Sequence, residues 1–488
     1  MTKIVIVVFD GLNPELVVPE VMPRLSAFAA QGVQLANHRP VFPSVTRLNA
    51  ASMVTGCFPG AHGLHGNLSL VPEYHPTEPM DALEPQLTEL RNRGAKVLLV
   101  PTLAEILADN GMEYIAAGVG TSGQAFIHHP NHEDGKPGAT IHTDYALPRS
   151  LFLEMTERFG PWPEKQLPNS PRMERVATIF TDYVLGERAP DVALLWFSEP
   201  DSSEHGTGPN SPTTRQAATD ADREFGRVLD WIADQGLTEA IDVIVTTDHG
   251  QATITEAIPV RQLLLEQGFA APGEAKGVVA AGNGGSALFY VEGHDSETLD
   301  RLASWLMAQP WAGPMFASEQ AGAIEGTLPA SLIGLEGPRV PDLIFSFGWK
   351  DGLNEHGQPG FVYSFGGTAG RGTHGSLSPW EFRSFTAALG PAFKTGSIVE
   401  ETTGHADLAP TVLKILGIEQ PAHMQGQAIE AALADGPDSV DAPHEEHVAS
   451  RTIPGGEYRQ QLVVRRTPHG AHILSAAVST ASLSEAAP

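Results

Sequence analysis

The 488-residue chain carries 58 acidic against 30 basic side chains, a formal charge of −28, and is 41% hydrophobic and 18% charged. That balance supports a folded core and excludes a general nucleic-acid or anionic-membrane surface, because no sizeable basic patch is available. A lone cysteine, Cys57, excludes an internal disulfide. Lys3 to Phe9 then opens the chain as an apolar run rich in β-branched residues, which predicts a strand covered on both faces in a parallel sheet. Asp10 ends the run and Gly11 turns it. A carboxylate there stands at the carboxyl edge of the sheet, where open α/β folds bind ligands.

Met22 to Gly32 predicts a helix with Pro near its start and Gly past its end, and Val33 to Asn37 a short strand. Thr46 stands at an N-cap position, ahead of a helix running to about Thr55 and closed by Gly56. Pro59 to Asn67 is a Gly-rich loop. Helical and strand-like pieces alternate from Val71 to Ala125, among them Thr102 to Leu107 and Tyr114 to Gly118. His128, His129 and His132 lack regular ligand spacing, which predicts a solvent loop rather than a metal site. A helix from about Arg172 to Gly186 leads into the strand Asp191 to Phe197, and a third strand, Asp242 to Thr247, follows an amphipathic helix from Asp220 to Gln235.

Lys276 to Phe347 reads as a strand–helix–strand lobe inserted before a glycine-laden loop, Gly366 to Ser376, around His374. Asp407 to Gly417 predicts a packing helix, with His405 at its start. Beyond Glu430 the chain reads as acidic linker, then a hairpin near Gln461 to Val478 and a frayed tail. The expected organisation is therefore a core of residues 1–275 and 348–430, a lobe of 276–347 and a C-terminal extension of 431–488. With a strand beginning at residue 3 and no long apolar stretch, the expectation is a cytoplasmic protein without a membrane partner; self-association is left open.

Three of the strands run into acidic residues: Asp10, then Ser198-Glu199-Pro200-Asp201, then Asp248-His249-Gly250. His205 and His249 lie close behind. Carboxylates and imidazoles gathered at neighbouring strand ends point to ligands converging on metal ions.

In this order the motifs resemble the alkaline phosphatase superfamily. The matching pieces are Asp10, Pro43-Ser44-Val45-Thr46, the Asp201 to Pro209 element with His205, Thr247-Asp248-His249-Gly250 and Thr373-His374-Gly375. The branch they most resemble is the nucleotide pyrophosphatase/phosphodiesterase group, with phosphonoacetate hydrolases beside it. The resemblance implies an α/β fold: a central, mostly parallel sheet sandwiched by helices, with a smaller α+β lobe. It implies two zinc ions (Mn2+ or Fe as alternatives), one held by Asp201, His205 and His374, the other by Asp10, Asp248 and His249 together with Thr46. Thr46 would be the nucleophile, passing through a phosphothreonine. Asn67, twenty-one residues on, would touch a nonbridging phosphate oxygen with the Arg47 amide as companion. Glu204 stands where that branch commonly has Gly, and is expected to alter the loop without losing the ligand.

The implied activity is hydrolysis of phosphate diesters or nucleotide pyrophosphates, on small molecules rather than nucleic-acid polymers. Related diesterases tend to carry an aromatic residue after the nucleophile. Arg47 stands there instead, a guanidinium suited to a second phosphate or a carboxylate, and Arg371 beside His374 is a similar candidate. Asn49 and His405 read as structural. The alternatives are a phosphonoacetate-type C–P hydrolase, a phosphate monoesterase, or an inactive metal-binding regulator. Gly118 to Gly123, where the phosphonate branch carries lysines, speaks against the first. Cys57-Phe58-Pro59-Gly60-Ala61 lacks the Arg of a sulfatase motif.

Overall fold

Successive residues of the first strand point to opposite sides, so a strand buried on both faces feeds two cores. In the computed structural model, which describes residues 3–132, 135–439 and 443–482, Ile4, Ile6 and Val8 enter one core, and Val5, Val7 and Phe9 the other. Val192–Phe197 alternates likewise: Val192, Leu194 and Trp196 face the first core, Ala193, Leu195 and Phe197 the second. The three acid-terminated strands are immediate parallel neighbours, with Phe9 in register with Phe197 on one side and Thr247 on the other.

They sit in a nine-stranded sheet whose spatial order is Ser397–Gly404, Val33–Arg39, Thr386–Leu389, Ile241–Thr247, Lys3–Phe9, Val192–Phe197, Tyr114–Gly118, Ala139–Ile141 and Ala146–Leu147. Only Thr386–Leu389 and Ala146–Leu147 run against their neighbours. Helices Thr46–Thr55, Leu103–Asp109 and Leu408–Leu416 cover one face. Pro23–Gln31, Ser170–Ile179 and Pro212–Asp234 cover the other. This is the expected mostly parallel α/β sandwich. The helix predicted from Asp220 starts eight residues earlier because Ser211 caps it, accepting from the Thr214 amide, with Pro212 in the first turn.

The lobe is a five-stranded sheet between Val278 and Phe347 backed by the helix Ser296–Met307. A second small sheet, unforeseen, pairs Ala252–Ala257 with Pro359–Ser364 and Gly372–Thr373. The C-terminal segment holds three antiparallel strands, His444–Ile453, Gly456–Thr467 and Gly470–Ser482, where a single hairpin was expected. Its first strand alternates exposed residues, most of them polar, with half-buried ones, a pattern that reads as linker. The sheet is fastened to the rest of the molecule: the Tyr458 hydroxyl donates to Gly313 O at 2.8 Å, and His472 Nε2 lies 2.9 Å from Asp407 Oδ2. The expected frayed tail beyond residue 482 lies outside the described residues.

The histidine stretch corrects a prediction. His128 and His129 are buried, not in a solvent loop. His128 Nδ1 meets the Tyr114 hydroxyl at 2.8 Å and His129 Nδ1 meets Thr140 Oγ1 at 3.2 Å, because the helix Ser122–Ile127 tucks them beside the strand Tyr114–Gly118. Burial pushes both down to about 3 from an ordinary 6.5. The unfolded chain therefore binds these protons first, and stability present above 6.5 is lost as pH falls, by about 1.4 kcal/mol per pH unit for each histidine. Thermal unfolding followed from pH 7 down to about 5 should show a shallower acid limb for His128→Gln; an unchanged slope would mean that this histidine takes up its proton in the folded state. Among the described residues, no helix is long and apolar enough to cross a membrane.

Candidate active site

Backbone geometry brings the three strand ends within side-chain reach. Gly11 adopts φ +70°, and a Cβ there would lie 2.9 Å from the Cβ of Asp201, so only glycine fits both the turn and the approach. Its amide donates to Asp248 Oδ1 at 3.0 Å, and the Asp201 amide donates to Asp10 O at 3.0 Å. The short helix Asp201–Thr207 then carries His205 one turn beyond Asp201. His205 Nε2 lies 3.2 Å from Asp201 Oδ1.

All three imidazoles are oriented in one way. His205 Nδ1 faces Gly372 O at 2.9 Å, His249 Nδ1 faces Gly250 O at 3.0 Å, and His374 Nδ1 faces Ser44 O at 2.8 Å. A carbonyl only accepts, so each ring carries a proton on Nδ1 and presents Nε2 to the site, the orientation that metal-ligating histidines use. The carboxylates are held at one oxygen too. Trp196 Nε1 donates to Asp10 Oδ2 at 3.0 Å, and Gln251 Nε2 to Asp201 Oδ1 at 2.6 Å. Asp10 Oδ1 and Asp248 Oδ2 are buried without a hydrogen-bond partner.

Burial and mutual repulsion raise Asp10 well above the usual carboxylate range and push Asp248 up to about 7. Burial would raise Asp201 as well, but His205 and His374 hold it below its ordinary value. Orphaned acceptors, crowded negative charge and imidazole nitrogens turned to the site fit divalent cations. Ligand atoms of Asp10, Asp248 and His249 lie within 4.8 Å of one another, as do those of Asp201, His249 and His374. His249 thus stands in both groups, its ring stacked on His374 at 3.6 Å between centroids, while the expected third member of the second group, His205, sits beside Asp201.

Thr46 is the first residue of its helix rather than the cap: Val45 holds the cap position with no side-chain bond. The hydroxyl, freed from capping, reaches His249 Nε2 at 3.2 Å and lies among the ligands. Asn67 is close by, but its Oδ1 accepts from the Arg47 amide at 2.9 Å, so the two expected phosphate donors pair with each other. The first N–H groups of a helix have no acceptor within it, and Asn67 supplies one. Arg47 is buried against the site wall. Its guanidinium bonds Asp81 Oδ1 at 2.6 Å and Thr121 Oγ1 at 3.4 Å. Arg371 is exposed and lines a groove of about 380 Å3 with His205 and Phe365.

Trp196 and Gln251 were missed by sequence reasoning. Nothing in a buried strand marks one Trp as a hydrogen-bond donor; Gln251, directly after the Asp-His-Gly motif, was the more legible. Asn49 and His405 do more than start helices: Asn49 Oδ1 accepts from the Val41 amide at 2.8 Å and faces His405 Nδ1 at 2.7 Å, while His405 Nε2 meets Thr247 O at 2.8 Å. This buried brace joins the Thr46 helix to the residue before Asp248. Glu204 is fully buried with both carboxyl oxygens unpartnered, and burial together with Asp201 and Glu199 pushes it well above its ordinary range, toward the neutral form.

Comparison with known proteins identifies a family. A family model described as type I phosphodiesterase/nucleotide pyrophosphatase matches residues 4–376. Ectonucleotide pyrophosphatase/phosphodiesterase family member 7 of Homo sapiens is 27% identical over 256 residues, covering 52% of this chain and 48% of that protein. Family member 1 of Mus musculus is 25% identical over 229 residues, 47% of this chain and 21% of that protein. The chain therefore spans about half or less of the length of these relatives. Among solved structures, an inactive variant of murine ectonucleotide pyrophosphatase/phosphodiesterase 5 in complex with AMP superposes with a TM-score of 0.63 at 17% identity, covering 89% of this chain and 100% of that one. A mutant of the alkaline phosphatase PafA gives 0.66 at 14% identity, covering 88% and 99%.

Proposed function

Because the chain belongs to the type I phosphodiesterase/nucleotide pyrophosphatase family, we propose that it hydrolyses phosphate diesters or nucleotide pyrophosphates on small molecules, with Thr46 as nucleophile. The observation that carries this reading is the Thr46 hydroxyl, buried, released from capping and 3.2 Å from His249 Nε2, beside the clustered ligand atoms of Asp10, Asp201, Asp248, His249 and His374. Asp10, Asp248 and His249 would hold one divalent cation, zinc by its donor set, and Asp201, His205 and His374 the other. When bound, such ions supply positive charge that activates the hydroxyl and neutralises the phosphate.

The remaining work belongs to the chain. Thr46 Oγ1 attacks phosphorus in line, forming the Oγ–P bond as the bond to the leaving oxygen breaks; water then cleaves the phosphothreonine and restores the hydroxyl. Asn67 orients a nonbridging oxygen through Nδ2, since its Oδ1 is engaged by the Arg47 amide. Trp196 and Gln251 keep Asp10 and Asp201 from swinging away. The Nδ1 anchors fix the three rings.

A second reading draws on Arg47. A buried guanidinium beside the nucleophile, where an aromatic residue would line a base slot, favours substrates with an additional negative charge, such as phosphate monoesters. Arg371, which lines the same groove as His205, would meet an additional charge on such a substrate. The test compares bis-p-nitrophenyl phosphate, p-nitrophenyl phosphate, a nucleoside triphosphate and phosphonoacetate under one condition. A diester or pyrophosphate is expected to turn over fastest; turnover of phosphonoacetate alone overturns the reading. Arg47→Ala should cost the monoester about tenfold more in kcat/KM than the diester, roughly one charge-assisted hydrogen bond. Equal losses would assign Arg47 to holding Asp81 alone.

A further inference from the structure

The turn at the tip of the inserted lobe is wedged between the two loops that complete the site. Strands Val278–Asn283 and Ser286–Val291 are joined by Gly284-Gly285. On one side Asn283 behaves as a strand neighbour of Leu68: its Oδ1 accepts the Leu68 amide at 3.0 Å, and its Nδ2 donates to Leu68 O at 2.9 Å. Leu68 is the residue after Asn67. On the other side the Gly285 amide donates to His374 O at 2.7 Å.

The wedge is tight. Gly284 adopts φ +63°, and a Cβ there would lie 2.2 Å from His374 O. A Cβ on Gly66 would meet Asn283 Oδ1 at 2.7 Å. Asn283 itself is 3% exposed. An amide side chain meets both the N–H and the C=O of one extended residue only when its own oxygen and nitrogen face them together, so this pairing fixes orientation as well as distance.

We propose that Asn283 is a positioning residue. Through its paired hydrogen bonds to Leu68 the lobe sets where Asn67 stands relative to His374, and so holds the phosphate-orienting amide at its working distance from the metal ligands. The inference rests on the role given to Asn67 above. It also gives the lobe a part in the reaction although it contributes no ligand.

The test is a double-mutant cycle on metal-loaded enzyme with bis-p-nitrophenyl phosphate. Asn283→Ala should lower kcat by about 10- to 100-fold, the scale of a misplaced reacting group, with metal content unchanged. In an Asn67→Ala background the same substitution should change kcat by less than about twofold, because coupled residues do not add. Asn283→Asp keeps the acceptor for the Leu68 amide and should fall between wild type and Asn283→Ala; where Asn283→Ala does not fold, Asn283→Asp is carried through both backgrounds instead. Losses that multiply across the cycle, or loss of metal from the single variant, overturn the proposal while leaving Asn67 in place. Full activity of Asn67→Ala removes the role of Asn67, and the proposal with it.

Discussion

Thr46→Ala is expected to lose at least about a thousandfold in turnover of bis-p-nitrophenyl phosphate, the scale seen when a nucleophile is deleted. Both metals should remain bound. The structure separates this effect from any loss of folding. The Thr46 hydroxyl makes no capping bond, Val45 holds the cap position, and the helix Thr46–Thr55 is packed along its whole length. Removing one buried oxygen and one methyl group there should cost about 1 kcal/mol of stability. Thr46→Ser, which keeps the oxygen, should retain measurable turnover and trap label from a slow substrate. An undiminished rate in the alanine variant would withdraw the nucleophile from this residue.

Exhaustive chelation should bring activity to background, and zinc at about two equivalents per chain should restore it. Manganese or iron restoring activity equally would leave the choice of ion to supply rather than to the ligands. Uptake should also carry a pH signature. Burial and the neighbouring carboxylates raise Asp10 and push Asp248 up to about 7. Below that value protons compete with the ion for the same oxygens, so affinity should weaken as pH falls and binding should release protons. Calorimetry in two buffers of different ionisation enthalpy measures that release directly. Full turnover by protein shown to be metal-free would refute the centre.

The strands and their ends were legible because two-sided burial demands a continuous apolar run, and a run that stops at Asp marks the sheet's carboxyl edge. Asp10, Asp201 and Asp248, with His205 and His249 close behind, followed from that pattern, and the family resemblance carried His374 and the role of Thr46. Three features misled. Val45 rather than Thr46 occupies the cap position, since a Thr ahead of a helix fits either place. His128 and His129 sit in a polar stretch, yet a buried helix draws them inward. The strand His444–Ile453 looks like linker because half of its residues face water.

What the sequence by itself determined is which chemical groups stand at the ends of the central strands. Only the tertiary structure decided how they are aimed. The carbonyls of Gly372, Gly250 and Ser44 turn the three imidazoles inward, and Asn283 reaches Leu68 from 215 positions away. A backbone carbonyl leaves no mark in residue identity, and a hydrogen bond across such a separation exists only once the sheet has brought its two halves together.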